Sequence, residues 1–269
     1  MSVTVASAYA LDMRRRKLRN LAIRIGMILL LVAAWEIVGH YVPPIFLTPF
    51  HKTLVAFYAM SADGTLLRAT LSTLSVLLLG LAISALLGIA IGLAMGRYRM
   101  VRWIIEPYAN GLYAAPTVAF LPLITLWLGL YLAPKVAIVV LIAIFPILKN
   151  TFAGVSTVSE EYLEPAASMR ASELQVFGKV IIPATLPFIM AGLRLAVGRG
   201  IVGVVVGEFF TAQTGLGGMV VWHASKFRTA EMFVPIIVLV AMGVCLTEVL
   251  KWLQTRLAPW KETERDQGL

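Results

Sequence analysis

Charge is what this chain has least of. Only 14% of its 269 residues are Asp, Glu, Lys or Arg, against 59% apolar residues and a mean hydropathy of +0.87. Soluble domains usually carry about 25% charged residues, so an aqueous globular fold is excluded. Cysteine is nearly absent: Cys245 stands alone inside an apolar run, which rules out an intrachain disulfide. The phosphate-binding pattern G-x-x-x-x-G-K-[ST] is missing, so ATP hydrolysis on such a loop is not expected of this chain. The three histidines, His40, His51 and His223, are scattered over predicted outer segments without metal-ligand spacing or a Ser/His/Asp arrangement. No catalytic, cofactor or metal residue is expected, and an integral membrane enzyme would need His, Asp or Glu clustered at one depth. The net charge of +9 comes from basic residues at the ends of apolar runs rather than on one polar face, which speaks against nucleic acid as a partner and for a lipid bilayer.

What is present is a series of long apolar segments. A helix needs roughly 20 apolar residues to cross the hydrocarbon, and six candidates run over about 25–42, 71–95, 108–131, 134–154, 184–209 and 232–254. The fold class expected is all-α, a polytopic membrane protein with six transmembrane helices. Arg14, Arg15, Arg16, Lys17, Arg19 and Arg24 precede the first segment. That run resembles a signal peptide, but the basic region starts late and no small-residue cleavage site follows, so an uncleaved first span is expected. With a cytoplasmic N-terminus, sixteen Lys and Arg fall on inner segments and five on outer ones, which predicts both termini inside. In that count Lys149 goes with an inner segment and Lys135 with an outer one.

Finer signals sit within and between these runs. Thr48-Pro49 reads as an N-cap with proline at the first helical position, opening a short helix that ends near Asp63-Gly64. Gly80, Ser84, Gly88, Gly92 and Gly96 put a small residue every fourth position of the second span, and Gly192, Ala196 and Gly200 with Gly203 and Gly207 do the same in the fifth. Such rows let helix backbones approach closely, inside the chain or between subunits. Pro116 and Pro122 are expected to bend the third span. Glu208 falls near the outer end of the fifth span, with Lys226 and Arg228 as candidate partners. Arg194 and Arg199 lie inside that span, where an ionisable residue is a functional candidate; either could snorkel, pair with a neighbouring helix or line a pathway that favours an anion.

Between the fourth and fifth spans lies the polar stretch "EEYLEPAASMRASELQVFGKVIIPATLP", Glu160 to Pro187. Thr157 with Glu160 and Ser172 with Gln175 each fit a capping box. Leu174, Phe177, Val180 and Ile181 fall on one helical face. Pro165 fits a helix that starts at Glu164. A connection needs about five residues; this one uses far more and shapes them, as a docking element would.

Glu164, Ala166, Ala171-Ser172 and the "VIIP" ending at Pro183 resemble the EAA loop of ATP-binding cassette importer permeases, whose pattern is Glu-Ala-Ala, three residues, Gly, nine residues, Ile-x-Leu-Pro. "AAPTVAFLPLITLWLGLYLAPKVAIVVLIAIFPILKNTFAGV" is similar to the family's third and fourth core helices and "GLRLAVGRGIVGVVVGEFFTAQTGLGG" to its fifth. The resemblance covers roughly Leu47 to Leu253 and is nearest the subgroup importing nitrate, sulfonates, taurine and related solutes. Pro165 replaces the second residue of Glu-Ala-Ala, Val180 and Ile182 replace Ile and Leu, and Arg170 replaces the glycine. A glycine there permits a left-handed turn; Arg would cost about 1 kcal/mol in that conformation, or the turn differs.

The resemblance implies a division into a basic cytoplasmic N-terminus (1–24), a permease domain (25–254) with a cytoplasmic coupling loop at about 156–183, and a cytoplasmic tail (255–269). It implies an ATP-driven importer subunit working by alternating access in the inner membrane, with two ATPase subunits, a second copy of the chain and an extracytoplasmic solute-binding protein as partners. The ATPase-coupling residues would be Glu164, Ala166, Ala167, Arg170, Ala171, Ser172, Leu174, Phe177 and Pro183. The pathway candidates are Pro116, Thr117, Arg194, Arg199 and Glu208, for a small, anionic solute. The alternative reading is a self-sufficient secondary transporter or channel.

Overall fold

The computed structural model describes residues 2–158, 164–165, 168–211 and 214–258. Its regular structure there is helical throughout, and it divides into two compact units: Met1–Asp63 with His223–Val234, and Gly64–Trp222 with Pro235–Leu269. Five helices are long and apolar enough to cross a membrane, and a bent pair makes a sixth if it is one span.

The first unit holds α1 (Ser2–Tyr41) and α2 (Phe50–Ala62). The Trp35 ring packs edge-on against Phe50 and Phe233, at 5.2 and 4.7 Å between centroids. Its Nε1 donates to the Thr48 carbonyl at 2.9 Å, which fixes the chain just before α2 begins. The start of α2 departs from expectation: Pro49 takes the cap position and no side chain next to it caps the helix. Glu36 of α1 supplies the missing acceptor, its Oε2 taking the His51 backbone N–H at 3.0 Å. The far end follows the sequence, with Gly64 at φ +74° carrying the turn into the next helix.

The second unit is organised around α6 (Leu132–Ser156), which lies between α3 (Thr65–Arg97) and α8 (Ile182–Thr211). Both small-residue rows face it. A Cβ on Gly92 would stand 2.8 Å from the Leu148 carbonyl oxygen, and one on Gly192 would stand 3.0 Å from the Ile147 Cα. At Gly92 a side chain would force the helices apart, and at Gly192 it would press on the facing backbone. The rows therefore serve packing within the chain, where close backbone approach replaces the hydrophobic drive that lipid removes. Ile138, Val139, Ala143 and Ile147 of α6 and Ala196 and Val204 of α8 are sealed from solvent as a result.

The third span is broken rather than bent. Helix α4 (Arg99–Ala114) stops at Ala115, which is extended before Pro116; a 3-10 turn (Thr117–Phe120) follows, then α5 (Leu121–Leu128), and the two arms meet at 91°. The residue before a proline is driven out of the helical region, so Pro116 is the breaker. Pro122 sits in the first turn of α5, where a missing N–H costs nothing. The buried Leu121 anchors the second arm against Ile138 and Ile142.

Candidate functional site

Four places in the second unit gather the candidate functional side chains, and the first is the segment before α8. Thr157 does not open a helix there. It closes α6, its hydroxyl donating back to the Gly154 carbonyl at 2.8 Å; Glu160, Ala166 and Ala167 lie outside the described residues. Glu164 and Pro165 are helical, with the Ser168 hydroxyl and the Met169 N–H donating to their carbonyls at 3.0 Å each. Arg170 then stands at φ +51°, the left-handed conformation that glycine in the family pattern permits. Ser172 and Gln175 form the expected capping box at the start of α7 (Glu173–Val176).

The apolar face past Ser172 is divided differently from the sequence expectation. A π turn over Phe177–Ile181 joins α7 to α8 without a break, so Pro183 lies within the continuing helix rather than ending a loop. A π turn spaces its hydrogen bonds five residues apart, which shifts the face that a 3.6-residue count assigns. Val176 and Ile181 are buried against Val155, with Ala171 and the half-buried Phe177 beside them. Leu174 is left 85% exposed and Met169 82% exposed. The segment is also braced from α3: Arg97 pairs with Glu173 at 2.7 Å, and the Tyr98 and Phe177 rings lie 6.4 Å apart. Neither the exposure of Met169 nor the Arg97 brace is legible in the residue pattern, and the brace depends on how α3 meets α7.

The second place is the far end of α8. Glu208 is wholly buried. Its Oε1 accepts from the Thr73 hydroxyl and its Oε2 from the Gly217 N–H, each at 2.7 Å. The Thr73 oxygen in turn accepts the Leu216 N–H at 2.8 Å. These amides open α9 (Gly215–Ser225), and a carboxylate at a helix N-terminus answers both the unpaired N–H groups and the helix dipole. Gly215 at φ +88° has no room for a side chain, because a Cβ would run into the same carboxylate. Lys135, counted with an outer loop from sequence, is 5% exposed and donates to the Thr214 hydroxyl at 2.7 Å. The arrangement is an internal clamp.

The third is Arg194, whose Nη1 donates to the Gln254 side chain on α10 (Thr229–Leu257) at 2.7 Å. It ties two helices together, which its sequence position left open.

The fourth is a cluster on Tyr113, the next-to-last residue of α4 before the Pro116 break. Arg199 of α8 donates to the Tyr113 hydroxyl at 2.9 Å, with its guanidinium carbon 4.8 Å from the ring centroid. Lys149 of α6 places its ammonium 4.1 Å from the same centroid. Lys149 lies within α6, as the 134–154 span predicts, although the charge count placed it with an inner segment. Neither cation pairs with a carboxylate among the described residues. Thr117 follows in the 3-10 turn and is half-buried. By contrast, a groove of about 760 Å³ between α3, α4 and α6 is lined by Leu79, Ile83, Val140, Phe145 and similar apolar side chains.

In the first unit the structure brings Glu36, His40 and His51 to within 4.8 Å of one another through their ligand-type atoms. Sequence reading missed this because His51 comes from a second helix. The Glu36–His51 contact at 2.6 Å belongs to the cap of α2.

Residues 84–263 match the family of binding-protein-dependent transport system inner membrane components. The chain belongs to that family. Among curated proteins it is similar to a taurine transport system permease protein of Escherichia coli, 32% identical over 90% of each chain. A formylaminopyrimidine transport permease protein of Halalkalibacterium halodurans is 30% identical over 88% of this chain and 94% of that one. A putative aliphatic sulfonates transport permease protein of Bacillus subtilis is 28% identical over 87% and 85%. An amino acid ABC transporter crystal structure shares the fold, with a TM-score of 0.55 at 18% identity, covering 76% of this chain and 97% of that one. The permease is thus a multi-pass inner-membrane subunit of an ATP-binding cassette importer, and a self-sufficient carrier gives way to that assignment.

Proposed function

We propose that the permease forms the solute pathway of its importer as a pair of copies, each docking through residues 164–181 on a cytoplasmic ATPase subunit. A solute-binding protein delivers a small solute on the opposite side, and hydrolysis resides on the ATPase rather than on this chain. Both termini then face the cytoplasm, as the distribution of Lys and Arg supports.

One observation carries the reading. Leu174 and Met169 project almost bare from a segment held by the Ser172 capping box, the Arg97–Glu173 pair and the buried Val176 and Ile181. Large apolar side chains on a braced protrusion suit insertion into a groove on a partner. A stiff element also transmits a difference in free energy between two states, which a slack one would absorb.

The test substitutes Leu174→Asp and Met169→Asp together. The expected result is a permease that purifies with unchanged thermal stability, loses at least tenfold in co-purifying ATPase subunit and takes up no solute in reconstituted vesicles. Full retention of the ATPase and of uptake would refute docking through this surface. Labelling of a cysteine at position 174 by an impermeant thiol reagent in intact cells would refute the orientation.

A further inference from the structure

Of the cluster on Tyr113, only Arg199 figured among the pathway candidates; Lys149 and Tyr113 are used by nothing described so far. We infer that Lys149, Arg199 and Tyr113 together form a binding site for the oxyanion group, a sulfonate or carboxylate, of the solute that the permease carries; this rests on the permease reading and names the chemistry of its pathway.

Three helices contribute one side chain each. Helical side chains lean toward their own N-terminus. In the proposed topology α6 and α8 run in opposite directions, so Lys149 reaches away from the docking end and Arg199 reaches toward it. They meet on the Tyr113 ring, at 4.1 Å for the ammonium and 4.8 Å for the guanidinium. The chemistry of the set is one-sided. The ammonium, the remaining guanidinium N–H groups and the phenolic O–H are all donors, and the Tyr113 oxygen already accepts from Arg199. Two cations on one aromatic ring repel each other, and charge at this depth is costly unless paired or set against water. Arg194 on the same helix has its polar partner in Gln254. Lys149 and Arg199 have only the ring and its hydroxyl.

The place suits a passing solute. Tyr113 immediately precedes the break at Ala115 and Pro116. Irregular backbone at membrane depth is tolerated where it is buried in protein or lines a wet cavity, and Arg199 is exposed while Lys149 and Tyr113 are half-buried. A planar guanidinium fork beside a point-charge ammonium is the donor set that grips an oxyanion.

The same chemistry would hold an anionic lipid headgroup, and the experiment separates the two. Full-length permease is placed in nanodiscs of phosphatidylcholine alone or with phosphatidylglycerol, and equilibrium dialysis measures binding of radiolabelled ethanesulfonate, with ethylammonium as the opposite-charge control. Saturable ethanesulfonate binding is expected in both lipids, with none for ethylammonium. Arg199→Gln and Lys149→Gln should each weaken it at least tenfold, Arg199→Lys less than Arg199→Gln, and Tyr113→Phe about threefold. Equal binding by the wild type and the doubly substituted Lys149→Gln, Arg199→Gln protein would overturn the inference. So would failure of ethanesulfonate to bind while phosphatidylglycerol is retained in native mass spectrometry and lost from the double variant. Co-purification of the ATPase subunit, followed in parallel, does not depend on these residues, so loss of anion binding with that association intact speaks against this site alone.

Discussion

The two ends of α8 are built in opposite ways. At its finish Glu208 is sealed from solvent, and its carboxylate meets a hydroxyl and a backbone N–H at hydrogen-bonding distance. At its start the chain passes through a left-handed arginine, a four-residue helix and a π turn, and leaves Leu174 and Met169 bare. The finish holds the start of α9, and the Glu208 carboxylate, the Thr73 hydroxyl and the Leu216 and Gly217 amides satisfy one another there. The start keeps exposed apolar surface and a left-handed residue, which the proposed docking on another protein would use. Between them lies Arg199, exposed and opposite a second cation, where neither consideration applies unless an anion visits.

The largest expected effect lies at the finish. Glu208→Ala strips the acceptor from the Gly217 N–H and the Thr73 hydroxyl at a buried position. Leaving a buried donor unpaired costs about 1–3 kcal/mol, more where a charged group was involved, so a total loss of roughly 3 kcal/mol is predicted. Thermal unfolding of the detergent-solubilised permease measures it. Arg199→Gln on the same helix is the matched control and should fall within about 0.5 kcal/mol of wild type, as exposed substitutions do. Equal losses for the two would erase the distinction between a structural and a functional charge on α8.

Sequence made some of this legible and concealed the rest for physical reasons. The small-residue rows on α3 and α8 were visible because a helix repeats faces every three to four residues, and both rows do pack closely on α6. Arg170 stood out because one residue type departs from a pattern whose glycine has a conformational reason, and its φ of +51° supplies that reason. The apolar face before α8 was misread because counting by 3.6 cannot foresee a π turn; Ile181 went inward with Val176 while Leu174 went out. Pro116 announced a bend, and only the extended Ala115 shows that the helix stops. Glu208 was visible as a charge, but its clamp is made by Thr73, Leu216 and Gly217 from other elements. Lys149 falls inside the 134–154 span although the charge count places it with an inner segment, and neither reading has a view of which helices converge on Tyr113.

At the start of α8 the next effect is smaller and has the opposite sign. Arg170→Gly relieves a left-handed conformation that costs an L-residue roughly 1–2 kcal/mol, while glycine returns part of that through the freedom of the unfolded chain. A net local gain of about 0.7 kcal/mol is expected, equivalent to roughly threefold slower hydrogen exchange at the Val176 amide, which bonds the Ser172 carbonyl across the turn at 3.0 Å. Faster exchange would mean that the arginine side chain itself holds the turn. If exchange slows and uptake falls, the guanidinium is being read by the ATPase and the strain is retained for that contact.

The smallest effect concerns the brace between α3 and α7. Arg97 and Glu173 pair at 2.7 Å, but both side chains reach solvent, at 32% and 56% exposure. Pairs of that kind contribute about 0.2–1 kcal/mol and weaken in salt. A double-mutant cycle on Arg97→Ala and Glu173→Ala should therefore give only a small coupling at low ionic strength, falling toward zero in molar salt, where the screening length shrinks to about 3 Å. The same cycle applied to Thr73→Ala and Glu208→Ala should give a larger coupling, because that hydrogen bond is buried and salt does not reach it. If the Arg97–Glu173 coupling equalled that of the clamp and survived high salt, the docking end would be as rigidly built as the buried one. The contrast between the two ends of α8 would then rest on exposure alone and not on how firmly each is held.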